Sequence, residues 1–266
     1  MGRWEAALPD QINRLYNEHL TSRSLLKLPH HDNSWLHQTA ASNEGEDSQA
    51  NESRYPPRVT TTGEWLRDER LGLVACLSDL SAPDWDTPSL CRGWTVRHVV
   101  AHLVTPFVIR PSQMAVQVAR TRGLSGALDA VARGLADRPP EALLALLQEH
   151  AASTFRPPGL PLSAPLTDVV VHGADIRWAL GDGRGDWAEV ERLRPVLDFL
   201  VSARALAGFM PRKRTRGLHL IAQDQDWSSG SGDEVRGTSL ALALGLLGRA
   251  AALPLLDGIG VVAMRG

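Results

Sequence analysis

Three observations predict a mainly α fold, a four-helix bundle followed by a small α/β domain. Apolar residues recur at helical spacing in four main segments between Thr61 and Leu180. Proline and glycine stand at the ends of those segments, where helices start and stop. Beyond Arg216 the pattern changes to short alternating runs broken by Gly, Ser and Asp.

Residues 1–58 differ from the rest, with the polar, acidic run NEGEDSQANES and the proline-rich RYPPR after it. They are expected to form a largely disordered extension, apart from a short helix over Asp10 to Leu26 carrying Ile12, Leu15, Tyr16 and Leu20. His30, His31 and His37 follow, with no fixed backbone to organise them as ligands. Residues 59–185 are assigned to the bundle, and 186–266 to a connecting helix and the α/β domain.

Trp65, Leu66, Leu73, Val74, Leu77 and Leu80 predict the first helix, ended by SAPDWDTPS. A second starts near Thr95 with Val96, Val99, Val100 and Leu103, and Pro106 and Pro111 should kink or interrupt its continuation to Arg122. Gly126 to Asp137 reads as a short helix. Pro139 and Pro140 open a third main helix, Glu141 to Thr154, and a fourth runs from Leu166 to Leu180 with Gly181 as its stop. Another helix spans Trp187 to Ala207. The tail then reads as a hairpin in RGLHLIAQDQDWSSGSGDEVRG, a helix in TSLALALGLLGRAAALPLL and a final short strand in GVVAM.

The balance of 28 basic against 30 acidic residues gives a net charge of -2 and no general attraction to nucleic acid or an anionic membrane. The N-terminus lacks the charged and apolar pattern of a secretory signal. The longest apolar run, Leu240 to Leu247, is well short of the roughly 18 to 20 residues of a membrane span. With 2 cysteines, Cys76 and Cys91, the chain has no disulfide framework and suits a reducing cytoplasm, where it is expected to reside.

Asp168 and His172 are four apart, so a helix stacks them on one face and both can reach one ion. A divalent metal in a bundle usually needs a further ligand from a facing helix, which His102 can supply. Either pair alone has an ordinary reading as hydrogen-bonded side chains. The surroundings favour the ligand reading: His102 lies among Val99, Val100, Leu103 and Val104, and His172 follows Val169, Val170 and Val171. Buried polar groups on such faces are costly unless paired or metal-bound. Imidazole suits zinc, nickel, copper or iron, with zinc the leading expectation, and two histidines with one carboxylate leave positions open for water or substrate.

The segment PSLCRGWTVRHVVAHL, followed at a distance by LTDVVVHGADIRWALG, resembles the DinB-type fold, in particular the mycothiol-dependent maleylpyruvate isomerase family. GLHLIAQDQDWSSGSGDEVRG with LGLLGRAAALPLLDGIGV resembles the α/β domain that accompanies those helices. The resemblance covers Thr61 to Gly266. It implies His102, Asp168 and His172 as metal ligands, and mycothiol as a co-substrate. It also implies a glutamate in the isomerase itself where this chain has Asp168, whose carboxylate is one methylene shorter.

Other residues have two readings each. His98, four before His102, is assigned near the site, with surface packing as its alternative. Asp175, three after His172, can accept a hydrogen bond from a ligand imidazole or pair with Arg177 or a neighbouring helix. Trp94 reads as a core anchor and Cys91 as a buried thiol rather than a nucleophile. Arg249 is the one residue of the tail assigned to contact an anionic substrate. The leading expectation is a metal-dependent enzyme in which mycothiol isomerises, or is transferred to, a small electrophile. A non-catalytic ligand-binding or regulatory protein, and a metal-dependent hydrolase on the same site, are the alternatives.

Overall fold

A computed structural model describes residues 60–181, 189–206 and 214–265. The N-terminal extension with its Asp10 to Leu26 helix and its three histidines lies outside the described residues, as do Trp187 and Ala207 at the ends of the connecting helix.

The bundle consists of α1 (Thr62–Ser78), α2 (Val96–Val108), α5 (Pro140–Glu149) and α6 (Ser163–Ala179), with α3 (Pro111–Thr121) and α4 (Leu124–Ala136) between the second and third of these. Helix α6 packs on α1 and α2, and α5 packs on the same two, closing a ring. Phe107, near the end of α2, stacks on His150, just past the end of α5 (centroids 4.6 Å apart), so these two helices run in the same direction. The long connection through α3 and α4 makes that possible: α4 packs on α2, and α3 packs on α4.

Local chemistry sets the boundaries. At the start of α1, Glu64 accepts from the Thr61 backbone N–H at 2.8 Å and donates its own N–H to Thr61 Oγ1 at 3.3 Å, a reciprocal cap. Pro106 is accommodated in the last turn of α2, and Pro111 opens α3 at a position whose N–H would be unpaired in any case. Helix α5 ends at Glu149 rather than at the expected Thr154. The buried Arg70 is the physical reason: its Nη1 donates to the carbonyls of His150, Ala151 and Ser153 at 3.1, 3.0 and 2.7 Å, drawing the chain out of helical geometry.

Beyond the bundle, α7 (Val190–Leu200) packs on α6 and α1 and is covered by the helix over Ser239–Leu246, with a three-stranded sheet between the two in the chain. Strand β1 (Leu218–Ala222) is central, flanked by β2 (Ser228–Gly230), antiparallel, and β3 (Asp233–Gly237), parallel. The expected hairpin therefore covers β1 and β2 only. The chain then wraps round the start of β1, and a Cβ at Gly230 or Gly232, both at positive φ, would meet the carbonyls of Leu218 and Gly217. Helix α8 (Ser239–Leu246), capped by Thr238 Oγ1, stops where Gly248 adopts a φ of 81°. The Trp227 indole donates to Asp198 on α7 at 2.8 Å, tying sheet to helix.

The final strand expected in GVVAM is instead one helical turn, Val261–Met264. Val261 and Met264 are buried and Val262 is exposed, an i, i+3 pattern that a turn satisfies and an alternating strand does not. One hydrophobic cluster runs from Leu66 on α1 through Leu166 and Val196 to Leu218 and Met264. Among the described residues no helix is long and apolar enough to cross a membrane.

Candidate metal centre

Helix α6 is buried almost all round, because α1, α2 and α7 cover it. A polar side chain on it must therefore find a partner inside the protein. Asp168 and His172 stand on its inward face, one turn apart, opposite His102 on α2. Asp168 Oδ1 lies 3.5 Å from His102 Nε2 and 3.5 Å from His172 Nε2, and the two imidazole centroids are 4.8 Å apart.

These distances are informative because they are too long. A charge-assisted N–H···O bond closes to about 2.7 to 2.9 Å, so both contacts are long for one. Two ligand atoms each about 2.1 Å from a tetrahedral ion stand about 3.4 Å apart. The donor set, two imidazole nitrogens and a carboxylate oxygen, fits a divalent ion such as zinc in both type and spacing. Burial pushes the Asp168 carboxyl up, but the facing His102 and His172, with Arg70 beyond them, outweigh it and hold the group at about 2. Asp168 is thus an anion at any ordinary pH.

One turn further along α6, His172 Nδ1 donates to Asp175 Oδ2 at 2.9 Å. An ionised carboxylate only accepts, so the proton sits on Nδ1 and the Nε2 lone pair is left facing Asp168 and His102. Asp175 is fully buried and held from the C-terminal segment by Arg249, with Nε to Oδ1 at 3.0 Å and Nη2 to Oδ2 at 2.6 Å. Burial opposes ionisation of Asp175, but the bonds from Arg249 and His172 hold its carboxyl well below the usual range. Cys91 joins the same group: its thiol is 3.0 Å from Asp175 Oδ2 and 3.1 Å from Arg249 Nη2. Burial, and then the Asp175 charge, push that thiol well above its ordinary range, so it stays protonated. Cys91, His172 and Asp175 are also close enough to hold an ion, but the Arg249 guanidinium already supplies the positive charge there.

Trp94 lies against both imidazoles, 5.2 Å from His102 and 6.2 Å from His172 between ring centroids, with its indole N–H anchored on Asp129 of α4 at 2.7 Å. Of the residues expected at the site, His102, Asp168, His172 and Asp175 come together. Arg249 also arrives, though its guanidinium is bound to Asp175 instead of being held out toward a substrate. His98 does something else. Its Nδ1 lies 2.8 Å from Thr95 Oγ1 and accepts the Thr95 N–H at 3.3 Å, capping α2, and its charged neighbours are Arg133, Asp129, Arg97 and Asp137. Sequence reasoning weighed Cys91 and Trp94 one at a time and missed their meeting with Asp175 and the imidazoles. The available signal was Gly93 between them, which marks a tight turn.

Residues 66–177 match the family described as the mycothiol maleylpyruvate isomerase N-terminal domain. The matched span runs from α1 to α6. Two solved structures are similar to the chain. One is the mycothiol-dependent maleylpyruvate isomerase, at 14% identity and a TM-score of 0.48, covering 74% of this chain and 91% of that one. The other is a histidine-to-alanine mutant of the same enzyme, at 15% identity, a TM-score of 0.48 and the same coverage of 74% and 91%. No curated protein sequence matches the chain.

Proposed function

We propose that the chain is a metal-dependent enzyme that uses a low-molecular-weight thiol, mycothiol, to isomerise a small electrophile or to be transferred onto it. His102 Nε2, Asp168 and His172 Nε2 would hold one divalent ion, with zinc as the fitting choice. The observation that carries this reading is the Asp168 carboxylate oxygen placed 3.5 Å from both imidazole nitrogens. The match to the family model over residues 66–177 supports the choice of thiol and of reaction class.

A divalent ion bound there supplies Lewis acidity, which keeps a coordinated thiol deprotonated at neutral pH without a protein base. The chain's own residues do the rest. Asp168 remains an anion and balances the ion's charge. Asp175 fixes the His172 proton on Nδ1, leaving Nε2 free to coordinate, and Arg249 in turn fixes Asp175. Trp94 shields one side of both imidazoles. For a cis-configured dicarbonyl acid, the thiolate adds to one alkene carbon, forming a C–S bond while the π pair moves onto the conjugated carbonyl. Rotation about the resulting single bond and expulsion of the thiolate then give the trans acid, and the thiol is recovered unchanged.

The test is a thiol-dependent assay on cobalt-substituted protein with a panel of electrophiles. The expected result is a thiolate-to-cobalt charge-transfer band on adding mycothiol, with turnover of a cis dicarbonyl acid that requires the thiol. A cobalt spectrum indifferent to the thiol, alongside water-dependent hydrolysis of an ester or amide panel, overturns the proposal.

A further inference from the structure

The segment between the first two bundle helices is built as a tight turn. Trp94 N–H donates to the Cys91 carbonyl at 2.9 Å across Arg92 and Gly93, and Gly93 takes a φ of 79° that side-chain-bearing residues rarely adopt. Ser89 N–H donates to the Trp94 carbonyl at 2.9 Å and the Cys91 N–H to Ser89 Oγ at 3.2 Å, so both ends of the turn are fastened. Leu90 N–H reaches the carbonyl of Asp175 on α6 at 3.4 Å, docking the turn on the helix that carries His172. The result is that Cys91 and Trp94 are delivered together to the two imidazoles.

From this geometry we infer that Cys91 is a positioning residue for His172, acting through Asp175. Its thiol donates to the carboxylate oxygen that takes the His172 Nδ1 proton, 3.0 and 2.9 Å away respectively, and its sulfur stands 3.6 Å from Nδ1 itself. Arg249 Nη2 donates to that sulfur at 3.1 Å. The thiol is therefore both acceptor and donor in one chain of contacts from the tail domain to the imidazole. It fills the space behind the ring, so that His172 and Asp175 cannot rotate away from each other. Cysteine suits the position because a protonated thiol is a weak donor that adds no charge beside a carboxylate and a guanidinium that already neutralise one another.

The inference rests on the metal reading for its consequence, but not for its geometry, and the experiment separates the two. Imidazole nitrogen NMR on the chelator-treated full-length chain reads the His172 tautomer directly, and a zinc titration reads affinity. Cys91→Ala is expected to move His172 from the Nδ1–H form toward a mixture of tautomers. It should also weaken zinc binding by about threefold to tenfold, below the tenfold to hundredfold typical of a direct partner of a ligand histidine. Cys91→Ser, which keeps a donor and acceptor in the same place, should restore both, and Cys76→Ala should change neither. A Cys91→Ala protein with the wild-type His172 signals overturns the inference whatever the metal does. A wild-type chain that takes up no zinc, yet shows the tautomer shift in Cys91→Ala, removes the metal reading and leaves the positioning role standing.

Discussion

Replacing Asp175 with asparagine keeps the volume of the side chain and removes its charge, which isolates the electrostatic part of the network. In the wild type Asp175 Oδ2 receives three donors, from Arg249 at 2.6 Å, His172 at 2.9 Å and Cys91 at 3.0 Å, and Oδ1 receives Arg249 Nε at 3.0 Å. Either orientation of the asparagine amide sets an NH2 group against at least one Arg249 donor. The guanidinium, 15% exposed, is then left charged and poorly paired. Breaking one partner out of such a buried pair costs about 3 to 5 kcal/mol, and each kcal/mol moves the midpoint of a domain this size by roughly 2 to 4 °C. The expected loss is therefore on the order of 6 to 20 °C. Thermal unfolding followed by circular dichroism, with chelator in both samples, removes any contribution from metal binding. The double variant Asp175→Asn with Arg249→Met should recover part of the loss, because no unpaired charge remains. An Asp175→Asn protein that melts within about one degree of the wild type would refute the claim that this ion pair supports the fold.

Three further outcomes follow. A chain beginning at Thr60 should keep the thermal transition of the full chain, since residues 60–266 form a unit with their own contacts, and loss of soluble protein on truncation would contradict this. Arg133, through its hydrogen bond, holds the Asp129 carboxyl below its ordinary 3.8, so the ionised group stabilises the fold above that pH and the contribution disappears as pH falls through the lower folded value. For this partly exposed pair Asp129→Asn should cost about 0.5 kcal/mol at pH 7 and progressively less as the pH falls below the ordinary carboxylate value, measured by urea unfolding across that range. Gly232→Ala places a Cβ against the Gly217 carbonyl at a φ of 125°, and should destabilise the protein by about 1 to 3 kcal/mol in the same assay.

The helical half of the molecule was legible because its evidence is periodic and local. Leu66, Leu73 and Leu77 on α1, or Val99, Val100 and Leu103 on α2, repeat at the spacing of the face they bury. The Asp168 and His172 pair was legible for the same reason, as two ligand types one helical turn apart on an apolar helix. What failed depends on contacts between residues far apart in sequence. Arg70 ends α5 from 80 or more residues away, and nothing near Glu149 announces it. Arg249 reaches Cys91 across 158 positions and Asp175 across 74, so a reading of one segment at a time sees a loose arginine, a lone thiol and a buried acid. Strand β3 runs parallel to β1 only because two glycines let the chain wrap round the start of β1, a topology that alternation cannot reveal. The capping role of His98 was not legible, because its spacing from His102 does not disclose a side chain that turns back to Thr95.

The central claim is that His102, Asp168 and His172 form one metal site, and metal content measured by elemental analysis of purified protein tests it most directly. The account predicts about one divalent ion per chain in the wild type, lost in His102→Ala and in His172→Ala while the helical circular dichroism signal is retained. Full metal occupancy in both variants, or a wild-type chain that takes up no divalent ion even when zinc is supplied, would contradict it.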